Sequence, residues 1–434
     1  MAGVDWDRLP GSSEVGVEMH ELMAELYPIC RSITGEGVRE TFGILGREVP
    51  LEITEVPSGT QVFDWTLPPE WNIRDAWIAA PDGTRVVDFK RSNLHVLGYS
   101  APVRTRLSLG ELRGHLFTHP ENPDWIPFRT SYYEENWGFC LSRRQLEQLP
   151  EGEYEAVIES SLSHGSVTYA EASIGGEVAD EVLFSTYVCH PSLCNDNLSG
   201  VVLTATLAKY LRPMPLRYSY RFLLGPGTIG PLCWLWKNEA DLGRIRHGLV
   251  LSCAGDPGPL TYKQSRRGDA EIDLAAANVV REAGGSIIPF EPWGGDERQF
   301  CSPGFDLPFG ALSRTPADRF PGYHSSADDL ELVRPEALAD SFRHCLEIVD
   351  VLETNASYVN LNPKGEPQLG KRGLYRSVAG GSSTETALLW VLSLSDGQHS
   401  LLDISDRSGL PYARVRDAAE ALREHDLLVE VGES

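Results

Sequence analysis

Two histidines and two aspartates stand where a protein chain can hold a divalent metal. They are His190 and Asp196 in CHPSLCNDNLSG, Asp256 in CAGDPG, and His324 in PGYHSSADDL. Each lies just beyond an apolar run that reads as a buried strand: EVLFSTYVC before the first pair, HGLVLSCA before Asp256, and LPFGALS plus a loop before His324. Zinc takes imidazole nitrogen and carboxylate oxygen at about 2.0–2.2 Å, and a catalytic site keeps three protein ligands and one open position. These four residues supply such a set. A single strand-end His or Asp is more often a helix cap or a satisfied loop residue, but four in one pattern argue for a metal centre.

The elements that must position them follow from hydrophobic periodicity. EVLFSTYVC, YSYRFLLG, HGLVLSCAG, SIIPF and LPFGALS read as strands, and SGVVLTATLAKYLR, CWLWKNEADL and AEIDLAAANVVREAG as the helices between them. This alternation predicts an α/β fold, a mostly parallel sheet with helices on both faces, with functional groups gathered at the carboxyl ends of the strands. Helical patterns in VEMHELMAELYPICRSI and VRETFGILGREV open the chain, and PEALADSFRHCLEIVDVLETN closes this unit. This α/β unit is therefore discontinuous, residues 1–50 and 179–360. Between its parts, residues 51–178 carry short strands separated by Pro, Gly, Asn and Asp turns, which predicts an inserted β-rich domain. Residues 361–374, LNPKGEPQLGKRGL, read as a linker, and the three helical patterns that follow resemble a winged-helix or helix-turn-helix tail, so residues 361–434 form the last unit.

NDNLSG followed by a helix resembles the GxxDNASG-type segment of the co-catalytic zinc aminopeptidases. GDERQF and LPFGALSRTPADRFPGYHSSADDL resemble that family's serine-aspartate-histidine and HTxxD segments. The nearest group is the bacterial aminopeptidase-like proteins with an inserted β domain and a C-terminal winged helix, and the resemblance covers essentially the whole chain. It implies that His190 and Asp256 are terminal ligands of one zinc, that Asp196 bridges, and that His324 serves a second zinc. Asp296 matches an aspartate that contributes to catalysis in related glutaminyl cyclases. Two departures stand out. His-x-Asp is here His190-Pro191-Ser192, without the carboxylate that orients the histidine. The family's Glu-Glu pair is replaced by FLLGPGTIGP, with Gly225 and Pro226 near those positions. The general base must then come from elsewhere, with Glu297 beside Asp296 preferred and Glu134 and Glu135 of SYYEENWG as the other source. One or two zinc ions per subunit fit these residues.

The implied function is a zinc-dependent, aminopeptidase-like hydrolase cleaving a peptide or amide bond in a small substrate, with the inserted module narrowing the cleft. Arg266 and Arg267 in TYKQSRRG are candidates for a substrate carboxylate, although a solvated basic loop is the simpler reading. The alternatives are a degenerate peptidase fold that binds a ligand without cleaving it, and a regulator acting through the winged helix.

Net charge narrows the partners. With 38 Lys+Arg against 62 Asp+Glu, the 434-residue chain carries −24, which disfavours nucleic acid and anionic membranes. The tail itself has no basic excess, which argues against a DNA-reading role. At 41% hydrophobic residues the chain is too apolar for acidic disorder. Eight dispersed cysteines without a CxxC pair, no secretory leader pattern and no apolar run of membrane-spanning length predict a cytoplasmic protein with reduced thiols. A homo-oligomer, assembled through the tail, is the expected quaternary partner.

Overall fold

Along the strand Glu181–Tyr187, Val182 and Phe184 enter one apolar core while Leu183 and Tyr187 enter another. Burial on both faces is what an unbroken apolar run predicts for a central strand. The computed structural model describes residues 3–132, 134–374 and 383–432. In it, Glu52–Pro57, Ser166–Ile174, Ser219–Gly225, Glu181–Tyr187, Ile245–Leu251, Phe309–Ser313, Thr261–Lys263 and Ser286–Ile288 lie side by side in that order in one sheet. The four central strands, from Ser219–Gly225 to Phe309–Ser313, are mutually parallel. Both flanks contain antiparallel pairings, but Thr261–Lys263 and Ser286–Ile288 pair in parallel, so four of the seven pairings in this mixed sheet are parallel.

Helices Ser12–Leu26, Ser199–Leu211 and Pro335–Thr354 close one face, burying Met19, Met23, Val202, Leu338 and Phe342 with Val182 and Phe184. The other face is covered by the helix Ile229–Asn238 and by the inserted module, which contributes Trp71, Ile78 and Tyr154. The carboxyl ends of the parallel strands all open on the same rim, where an α/β sheet places its ligand.

The inserted module has its own antiparallel sheet, ordered Arg85–Asp88, Glu70–Ala79, Glu153–Ser163, Val103–Ser108. Its ends differ from the expected boundaries. Glu52–Pro57 and Ser166–Ile174 pair with each other and join the main sheet through Ala170 beside Leu224. A β pattern in sequence does not say which sheet receives the strand. Tyr133, inside the SYYEENWG stretch, lies outside the described residues.

At the C-terminal end, Ser357–Asn360, Asp396–Ser400 and Leu428–Glu430 form a three-stranded sheet beside the helices Ser383–Leu394, Leu401–Ser408 and Tyr412–Glu424. The winged helix thus begins before the expected linker, and residues 361–374 are a loop within it. It is docked on the α/β unit. Leu388, Val391 and Leu422 share a core with Leu352, Arg416 Nη1 lies 2.6 Å from Asp350 Oδ2, and the amide of Leu402 donates to Asn355 Oδ1. Among the described residues no helix is long and apolar enough to cross a membrane. All eight cysteines are free thiols.

Candidate metal centre and its cavity

His190, Asp196 and His324 converge, with one ligand atom from each lying within 4.8 Å of the others. Asp196 Oδ2 is 3.1 Å from His324 Nε2 and 3.9 Å from His190 Nε2. Asp196 Oδ2 and His324 Nε2 are nevertheless buried without a directed hydrogen bond. Buried polar atoms rarely stay unsatisfied, and two imidazole nitrogens facing one carboxylate oxygen are the donor set of a single zinc. The residues therefore fit a metal ion. Their protonation fits as well. Burial drives His190 down to about 4. For Asp196 burial acts upward, but the His190 and His324 imidazoles and the Tyr187 hydroxyl outweigh it and hold the carboxyl at about 2. Neutral imidazole and ionised carboxylate are the ligand forms.

The NDNLS segment holds Asp196 by giving every neighbouring polar group a fixed partner. Asp328 accepts from the amides of Asn195 and Asp196 at 2.6 and 2.8 Å. Asn195 Oδ1 accepts from Gly255 N, Asn197 Oδ1 from Cys253 N, and Ser199 Oγ from Ala254 N. The loop is thus stitched to the segment after the strand Ile245–Leu251, while the Tyr187 hydroxyl donates to Asp196 Oδ1 at 2.5 Å. His324 sits at φ 51°, a left-handed conformation that costs a non-glycine residue about 1–3 kcal/mol. The inserted module holds it there: Phe128 N donates to His324 O at 2.7 Å, and the Phe128 ring meets the edges of both His190 and His324 at 5.1 Å. Tyr323 stacks on His324 at 3.9 Å.

Asp256 does not join the cluster. Its carboxylate is used up by Asn195 Nδ2 at 3.1 Å, Gly258 N at 2.8 Å, and Thr315 N and Oγ1 at 3.1 and 2.6 Å. It braces the loop that carries Asp196. The strand before it ends at Leu251, so Ser252 is the residue from that segment that lines the cavity. Among the described residues, the chain thus brings together three ligands for one metal and no set for a second. Glu134 and Glu135 are exposed and do not line the cavity. Arg266 and Arg267 also lie away from it, both paired with Asp306.

The cavity measures about 300 Å³ and reaches from the metal cluster to Asp296 and Glu297, with Phe128, Thr130 and Tyr132 of the inserted module as one wall. The two acids have separate fates. Glu297 is fully buried, its Oε1 2.6 Å from Lys263 Nζ, and Lys263 also donates to Trp293 O at 2.6 Å. Asp296 is 1% exposed and its Oδ2 has no partner. Burial, then the neighbouring Glu297, push its carboxyl up to about 7. A Cβ on Gly227 would stand 3.2 and 3.3 Å from the two Asp296 oxygens. Where the sequence lacks a carboxylate after the strand Ser219–Gly225, Asp296 approaches from another segment and takes that space.

Lys263→Met strands Glu297 as a buried carboxylate without its cation. Breaking such a pair costs about 3–5 kcal/mol, so the guanidinium unfolding midpoint drops sharply, and adding Glu297→Gln restores most of it. An unchanged midpoint in the single variant would show that the pair does not matter for folding.

Sequence reasoning passed over Tyr187, Phe128, Lys263 and Asp328. Tyr187 had a readable signal, a hydroxyl at the carboxyl end of an apolar strand. Asp328 lies within the quoted YHSSADDL. Phe128 and Lys263 had none, because only chain packing brings them to the site.

Residues 20–355 match the family described as a domain of unknown function, DUF4910, and residues 356–430 match a winged helix-turn-helix family. A Clostridium acetobutylicum protein, provisionally named a polysaccharide biosynthesis protein with an aminopeptidase-like domain, is 51% identical over 425 residues, 97% of this chain and 98% of its own. A crystal structure from Clostridium acetobutylicum, provisionally named a peptidase, shares 50% identity with a TM-score of 0.92, covering 96% of this chain and 97% of that one. A zinc aminopeptidase from Bacillus subtilis superposes with a TM-score of 0.57 at 12% identity, over 79% of this chain and 95% of its own. A peptidase M28 precursor from Shewanella amazonensis superposes with 0.55 at 14%, over 79% and 96%. At those identities the likeness is one of fold.

Proposed function

The chain belongs to the DUF4910 family and has the zinc-aminopeptidase fold, and we propose that it is a metal-dependent hydrolase of a peptide or amide bond in a small substrate. The observation that carries this reading is the convergence of His190, Asp196 and His324 in a cavity that also holds the carboxyl of Asp296, whose Oδ2 has no partner. His190, Asp196 and His324 would hold one zinc ion, which when bound would supply Lewis acidity to a carbonyl and to water. Asp296 Oδ2 takes the proton of the attacking water and returns it to the departing nitrogen, a role that suits a carboxyl at about 7. Glu297, the base preferred from sequence, is pinned by Lys263 and serves to set the position and charge of its neighbour. Phe128, Tyr132 and Tyr323 line the cavity, whose volume of about 300 Å³ suits small ligands.

The relative's name connects that protein to polysaccharide biosynthesis, so amides of amino sugars belong in a substrate panel with aminoacyl and N-acyl amides. Zinc measured by plasma mass spectrometry at about one per chain, together with release of amine from a panel member, is the expected result. Metal-free protein that never gains zinc sinks the proposal. Stoichiometric zinc without turnover favours a ligand-binding protein instead, a reading supported by the Gly225-Pro226-Gly227 stretch where a carboxylate pair is missing.

The winged helix is best read as a packing element. The helix Tyr412–Glu424 spends Tyr412 and Arg416 on Thr354 and Asp350, which supports the sequence reading against nucleic acid. The free thiols support a cytoplasmic location.

A further inference from the structure

Among the described residues, Trp293 is the most exposed large apolar side chain, at 74%, and it lines the metal cavity. Its backbone is anchored. The Trp293 carbonyl accepts from Lys263 Nζ at 2.6 Å, and Lys263 is paired with the buried Glu297. Gly294 follows at φ 105°, a conformation that favours glycine, and a Cβ on Gly295 would stand 2.4 Å from Glu297 Oε2. The PWGG stretch is thus pressed onto the Lys263–Glu297 pair, three residues before Asp296. The indole, both exposed and part of the cavity lining, stands at the mouth.

The charged groups at that mouth are of both signs. Glu291, Asp318 and Arg319 line the same cavity and are exposed. Among the described residues none of these three side chains has a hydrogen bond or an ion pair, whereas Lys263 in the same lining is taken by Glu297. Tryptophan and arginine are the side chains that most often carry binding energy at recognition sites.

We propose that this mouth is a sugar subsite with Trp293 as the stacking platform for a pyranose ring, so that the substrates of the metal cavity are amides of amino sugars. This rests on the reading of the cavity as an amide-hydrolysing site and selects one substrate class for it. A pyranose offers a C–H face to the indole and a rim of hydroxyls, each both donor and acceptor. Those hydroxyls can donate to Glu291 and Asp318 and accept from Arg319, so all three charged groups keep partners when water leaves. An aliphatic or aromatic group would cover the indole but strip water from the same charges and replace none of it, which is costly. An anion would meet two carboxylates, and an ammonium would meet the guanidinium. The cavity volume of about 300 Å³ lies at the lower end of the range for small-molecule sites, about 300–1,000 Å³, the scale of one ring with its amide.

The test is calorimetric titration of the full-length protein, in the presence of zinc, with N-acetylglucosamine, N-acetylgalactosamine and N-acetylmannosamine. The comparators are N-cyclohexylacetamide, a ring without hydroxyls, and N-acetylethanolamine, a hydroxyl without a ring. At least one sugar should bind about ten-fold or more tightly than both comparators. In Trp293→Ala that advantage should shrink by roughly three- to ten-fold, the scale of a lost aromatic contact. Iodide quenching of tryptophan fluorescence should weaken when the sugar is added to the parent and stay unchanged when it is added to the variant. Trp293→Ala alters an exposed side chain and keeps the carbonyl that Lys263 holds, so its fold should persist. Equal binding of sugars and comparators, a sugar preference that survives Trp293→Ala in full, or no binding of any sugar would overturn the assignment. Trp293-dependent sugar binding without release of acetate upholds the subsite and counts against the hydrolase reading. Turnover of the comparators without a sugar preference does the reverse.

Discussion

Asp296→Asn lowers the turnover of an amide substrate by about 10²- to 10⁴-fold, the range of a lost general base, while the zinc content stays at the parental level. The substitution keeps the shape of the side chain and removes only its capacity to accept a proton. Its neighbourhood makes the effect specific, since Oδ2 has no partner to lose and Gly227 leaves the carboxyl room to face the cavity. In the parent, kcat/KM should rise as the proton leaves near pH 7 and level off above it. The variant should lack that limb. A variant that retains full activity, or one that loses zinc in step with activity, removes Asp296 from the base role.

The same group leaves a mark on stability. An Asp in the unfolded chain titrates at about 3.9, whereas burial and Glu297 push Asp296 up to about 7 in the folded protein. Between those values the folded state keeps a proton that the unfolded state has released. This contribution therefore makes stability fall as pH rises from about 4 to about 7. Asp296→Asn removes it, so in chelator-treated protein the variant gains on the parent as pH increases. Denaturant curves at pH 4.5 and 7.5 with identical differences would contradict this.

The second large effect is expected at Asp196. Its Oδ2 faces both imidazoles, so Asp196→Asn replaces a charged ligand oxygen with a neutral amide, and zinc measured by plasma mass spectrometry should drop from about one per chain to near zero. Ligand binding to the folded state stabilises it, by about 2.7 kcal/mol at a free concentration 100 times Kd. The melting temperature of the parent should accordingly rise on adding zinc, and that of Asp196→Asn should stay put. Tyr187→Phe removes the hydroxyl that orients the carboxylate and should weaken zinc binding by about 10–100-fold. If Asp196→Asn keeps its zinc, His190 and His324 alone would have to hold it, and the three-ligand site would be wrong.

The α/β alternation and His190, Asp196 and His324 were all legible in the chain. Strand periodicity is local, and a ligand placed just after a strand inherits the strand's direction. Asp256 shows the limit of that logic. It too follows a strand, but a carboxylate is equally a partner for backbone amides and hydroxyls, and which role it takes depends on Asn195 and Thr315, far away in sequence. The choice between Asp296 and Glu297 was likewise beyond sequence. The two are adjacent and chemically alike, and they part only because Lys263 arrives from the distant strand Thr261–Lys263 and claims one of them. Phe128 reaches the metal ligands from the inserted domain, and Arg31 lies beneath His190 from the opening helices. What the sequence determined by itself is the local periodicity and the types of group at the strand ends. What only the tertiary structure decided is which of those groups remain free, because hydrogen bonds and ion pairs between distant segments consume the rest.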